Sequence, residues 1–129
     1  MEVALPYRID AQRRLCIKKD LIELSGWIDV LAQINEEIDS LKIIEKQLIK
    51  DSATNSFLVG IRRKNTLVMG VLCNYEKELN TEYEYGKKEY NVQRAKEHEK
   101  KRTVFNELMN EFTTIKKKIY HQLSKYERK

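Results

Sequence analysis

From Phe105 onward the apolar side chains fall in a single row. Phe105, Leu108, Phe112, Ile115 and Ile119 step by three, four, three and four, and Leu123 and Tyr126 continue the series. That spacing is the a/d seam of a coiled coil. Glu107, Asn110, Glu111, Lys116, Lys117, Lys118 and Gln122 lie between its members and belong on a solvated side. A strand would alternate with period two, and no such alternation is present.

Nearer the start, Pro6 disfavours helix at Leu5 and predicts an extended segment over residues 1–10, with Asp10 as the N-cap of a first helix. Residues 11–50 read as helical. Ile17, Leu21 and Leu24 share a face from which Lys18, Lys19 and Asp20 turn away. Ser25-Gly26 predicts a kink, because Ile17, Leu21, Leu24, Ile28 and Leu31 step by four and three straight through it. A second row, Trp27, Leu31, Ile34, Ile38, Leu41 and Leu48, widens the apolar face enough for more than one neighbour.

Residues 51–56, DSATNS, form the clearest break, since Asp, Ser, Thr and Asn favour caps and turns over helix interiors. Asn55 or Ser56 then caps a second helix over residues 57–129. Within it, FLVGIRRKNTLVMGVLCNY admits a hairpin around Arg63-Lys64-Asn65. The helical reading places Phe57, Ile61, Val68, Leu72, Tyr75 and Leu79 on one face, and no Asn-Gly or Asp-Gly turn supports the hairpin. From Glu76 to Arg102 the chain is rich in charge and lacks a clean stripe, with Gly86 as the sole candidate corner.

The fold expected from this pattern is all-α: an antiparallel helical hairpin with a long coiled-coil arm. Seventy continuous residues would make a rod of roughly 105 Å, of which the first segment covers about 60 Å. The overhanging seam would need another chain to bury it. The alternative is a fold-back near Gly86 into a compact three-helix bundle.

Composition narrows the function. Of 129 residues, 35% are charged and only five are Gly or Pro, which fits long helices. The formal charge of +5 resides in the C-terminal end, where residues 113–129 set six basic side chains against Glu127 alone. Cys16 and Cys73 are far apart and no secretory signal precedes them, which predicts a reducing intracellular setting, cytoplasmic or cytoskeletal. No apolar run approaches the ~20 residues of a membrane span.

Catalytic and cofactor motifs are not evident. His98-Glu99 begins a zinc-protease helix motif, but Arg102 stands where its second histidine belongs, and Gly60 and Gly70 do not form a phosphate loop. No metal, cofactor or enzymatic activity is expected. Arg62-Arg63-Lys64 and Lys116-Lys117-Lys118 are candidate contacts for a polyanion such as an acidic filament, with nucleic acid a weaker candidate. The expected role is a coiled-coil structural or adaptor subunit, of the general make-up of cytoskeletal, ciliary and microtubule-associated proteins. Its seam of Phe105, Leu108, Phe112, Ile115, Ile119 and Leu123 would bind a partner protein or a second copy. A small helical nucleic-acid-binding protein and an inhibitor or immunity-type regulator that masks a partner are the alternatives.

Overall fold

The computed structural model describes residues 5–126 and consists of three long helices packed together: α1 (Tyr7–Ile44), α2 (Ser52–Tyr85) and α3 (Val92–Ser124). Among the described residues there is no strand, so the hairpin considered for 57–72 does not form. The first four residues, and Glu127, Arg128 and Lys129 of the basic end, lie outside the described range.

α1 starts one residue after Pro6, whose fixed φ suits the entry to a helix. Asp10, expected as the cap, instead sits in the first turn and binds Arg13 and Arg14. The helix runs unbroken through Ser25-Gly26 and closes in a wider helical turn, Glu45–Ile49, where the Lys50 amide donates to the Glu45 carbonyl. Lys50 adopts the left-handed conformation (φ 53°) and Asp51 caps α2 at once, accepting from the Ala53 amide. The expected six-residue loop is therefore mostly the first turn of α2: Ser, Thr and Asn tolerate an N-terminal turn well when an aspartate precedes them.

The expected continuous second helix ends at Tyr85. Gly86 follows in an extended conformation, and a Cβ there would collide with the Glu82 carbonyl oxygen, so the corner requires a residue without one. Five residues later Asn91 caps α3 by accepting from the Arg94 amide. The chain thus folds back, and the overhanging arm is replaced by a third helix running parallel to α1.

One core results. On α1 the buried positions Arg13, Ile17, Asp20, Leu24, Trp27, Leu31, Ile34, Ile38 and Leu41 step by four and three without interruption, and Glu45 of the closing turn continues the row. α2 contributes Thr54, Leu58, Ile61, Asn65, Leu72, Tyr75 and Leu79, and α3 contributes His98, Phe105, Leu108, Phe112 and Ile119. Two expectations are corrected here. Asp20 is buried rather than turned away, and Leu58, not the exposed Phe57, lies on the core face of α2. Polar residues inside the heptad explain both, because a reading of apolar positions alone skips Arg13, Asp20, Asn65 and His98.

Asn65 is completely buried and donates from Nδ2 to the Leu31 carbonyl (3.1 Å), while its own Oδ1 has no partner. A buried amide in an a/d position fixes helix register at a cost in stability. Asn65→Leu is expected to raise stability by about 1 kcal/mol, the orphaned carbonyl being removed, and to loosen the α1/α2 register. Urea denaturation reads the first effect and line broadening in amide NMR spectra the second.

Candidate functional site

A polar layer crosses the bundle where α3 begins. His98, in the second turn of α3, is buried between α1 and α2. Its Nδ1 lies 2.8 Å from the Tyr75 hydroxyl and its Nε2 lies 2.7 Å from Glu23 Oε1 and 3.5 Å from Asp20 Oδ1. A carboxylate only accepts, so Nε2 carries a proton toward Glu23, and the Tyr75 hydroxyl satisfies Nδ1. Tyr90, in the loop before α3, donates to Asp20 Oδ2 (2.5 Å). Arg102, one turn after His98, clasps both oxygens of Glu23 (3.0 and 2.6 Å) and also pairs with Glu99. Trp27 closes the layer, its ring stacked 5.1 Å from His98 and 5.6 Å from Phe105.

The environment sets the charge states. The Arg102 guanidinium, then the His98 bond, hold the Glu23 carboxyl below its ordinary range against the opposing effect of burial. Burial pushes the Tyr75 and Tyr90 hydroxyls up, so both remain protonated donors. Asp20, Glu23 and His98 bring one ligand atom each to within 4.8 Å of one another, a spacing a cation could use. Glu23 is already committed to His98 and Arg102, however, and an incoming cation would have to displace a guanidinium. The layer ties α1, α2 and α3 together.

At the far end, Asp51 accepts from Gln122 Nε2 of α3 (2.9 Å) as well as from Ala53 and Thr54 of α2. These bonds, that of Gln122 foremost, hold its carboxyl low. A depressed folded-state pKa means stabilisation present above the unfolded value and lost as pH falls through the folded one. The part of the stability owed to Glu23 and Asp51 should therefore hold above their ordinary values of 4.5 and 3.8 and decline below them. Urea midpoints measured from pH 6 down to pH 2.5 check this, and Glu23→Gln should shrink the decline.

Between these two ends lies an opening lined by α1 and α3. The opening is a groove of about 760 Å³ with Val30, Ile34, Met109 and Phe112 as its apolar floor. Its rims are of opposite sign: Glu36 and Glu37 on α1, Lys116 and Lys117 on α3. The ion pair of Lys116 with Glu37 (2.7 Å) spans it, and Glu37 in turn raises the Lys116 pKa.

The residues expected to bind a partner are mostly interior. Phe105, Leu108, Phe112 and Ile119 are buried within this chain, and Ile115 and Leu123 are half-buried. The seam itself was legible, but α1 and α2 cover it because the chain turns back after Tyr85. The basic runs do not gather on one face. Arg62 pairs with Asp39 of α1, Lys64 with Glu111 of α3 (2.6 Å), and Lys116 with Glu37, while Lys118 lies over the Phe57 ring of α2 at 4.6 Å. Arg63 and Lys117 are exposed. The His98 layer went unforeseen as a unit, its members spanning more than 70 positions of sequence. The groove had one signal, the excess width of the α1 apolar face.

No helix among the described residues is long and apolar enough to cross a membrane. No protein-family model, no curated protein and no solved structure matches the chain.

Proposed function

We propose that the protein is a non-enzymatic helical adaptor that takes an amphipathic helix of a partner protein into the groove between α1 and α3. The observation that carries this reading is the groove's make-up: an apolar floor between two parallel helices, with an acidic rim on one side and a basic rim on the other. A helix laid there would complete a four-helix arrangement, burying Val30 and Met109 beneath its apolar face. Charge complementarity defines it further, since basic side chains along one edge would meet Glu36 and Glu37 and acidic ones along the other would meet Lys116 and Lys117. The Lys116–Glu37 pair is partly solvated, so opening it costs little.

The expected partner seam of residues 105–123 is thereby narrowed to its groove-lining member, Phe112, together with Met109 and the α1 residues opposite. The adaptor reading is favoured over a polyanion binder because Arg62, Lys64 and Lys116 each have an acidic partner within the chain. A photo-crosslinker placed at Thr113 tests the proposal in cells. Adducts mapping to a helical segment of another protein, lost with Val30→Lys and missing when the crosslinker sits at Lys19, are expected. Adducts unaffected by Val30→Lys, or none at Thr113, would contradict it.

A further inference from the structure

The outward face of α2 departs from the charged surface that covers most of the chain. Val59, Leu67 and Val71 are exposed, Leu67 at 65%. Gly60 and Gly70 share that face, and nothing lies within 4 Å of where either Cβ would stand. Glycine inside a helix is unfavourable, and among the described residues no close approach compensates for it.

The order of residues on that face has a dyad. Counting outward from the buried Asn65 in both directions gives Arg63 and Leu67 at two residues, Gly60 and Gly70 at five, Val59 and Val71 at six, and Ser56 and Asn74 at nine. At 100° per residue all eight positions fall within about 60° of the direction opposite Asn65. They are exposed without exception. Glycine thus mirrors glycine, valine mirrors valine, and a small polar residue mirrors another.

We infer that this face joins two copies of the chain, α2 against α2, antiparallel about a two-fold axis at the level of Asn65. An isologous contact brings position i of one copy against position j of the other and j against i, which is what a row with a dyad supplies. Val59 meets Val71 of the second copy on both sides of the axis, and Gly60 meets Gly70, so the backbones approach closely at both ends. Leu67 packs between them against the aliphatic stem of Arg63, whose guanidinium stays in water. A contact about 27 Å long and one helix wide belongs at the small end of specific interfaces, so the dimer dissociates in the micromolar range or above. The face lies away from the α1/α3 groove, and neither proposal depends on the other.

Sedimentation equilibrium of the full chain at 10 µM to 1 mM tests the inference. Wild type should show a monomer–dimer equilibrium. Leu67→Glu should weaken it at least tenfold with helicity unchanged, and Leu15→Glu, an exposed apolar position on α1, should leave it intact. In a Cys16→Ser, Cys73→Ser background, a short bifunctional maleimide should join Val59→Cys chains to Val71→Cys chains on mixing, and should join neither variant to itself. A monomer at 1 mM, a dimer indifferent to Leu67→Glu, or self-coupling as efficient as mixed coupling would each overturn it.

Discussion

Trp27→Ala is expected to destabilise the bundle by about 3–5 kcal/mol, the range for truncating a buried large aromatic. The indole is the widest side chain in the core and links α1 to α3, stacking on both His98 and Phe105. Removing it leaves a cavity beside the polar layer, admits water to His98 and loosens the clasp of Arg102 on Glu23. Because single domains have about 5–15 kcal/mol in total, the variant should sit near the edge of folding at 37 °C. Thermal melts followed by circular dichroism measure the loss, and hydrogen exchange should show α3 exchanging well before α1 and α2. Ile22→Ala, at an exposed position of the same helix, should change stability by less than about 0.5 kcal/mol.

The second large effect concerns Arg13. This guanidinium is buried at the foot of α2, where it donates to the Glu82 and Tyr83 carbonyls and is held in place by Asp10. Those carbonyls belong to the last turn of α2, where the helix dipole is negative, and the Glu82 oxygen accepts from both Arg13 and the Gly86 amide. Arg13→Met keeps the stem and deletes the donors, so about 2–3 kcal/mol should be lost, the usual effect of removing a buried charged hydrogen-bond partner. The loss should appear as a lower urea midpoint and as faster amide exchange around residues 82–91. Arg13→Lys should recover part of it, one ammonium being unable to reach both carbonyls and Asp10 with the fork geometry of arginine.

These residues also explain what the sequence could and could not reveal. The all-α class and the α3 seam followed from spacing, and Phe105, Leu108, Phe112 and Ile119 are core residues as the heptad requires. The fold-back near Gly86 was legible only as the alternative to a continuous arm. Its corner contains one glycine and no proline, and it is held by a contact absent from local sequence: Arg13 closing the end of α2 about 70 residues away. Polar core members hid the rest of the heptad. With Asp20 read as solvated, Leu21 and Ile28 took places on the core row that belong to Asp20 and Trp27. With Asn65 available as a turn residue, a hairpin at the centre of α2 stayed open beside the helical reading that the structure bears out. The basic runs were visible as composition, but whether a lysine faces solvent or a glutamate depends on which helix lies beside it. Adjacency of that kind is decided only once the chain turns at Gly86.

Closure of the α3 seam by this chain's own helices is tested most directly by small-angle X-ray scattering of the purified protein. Helices of 33–38 residues are about 50–57 Å long, so three of them side by side give a maximum dimension below about 80 Å, in a monomer or in the α2-paired dimer. A particle of about 100 Å or more, the length of an uninterrupted helix from residue 57 onward, would contradict the fold-back and return the residues 105–123 to the surface.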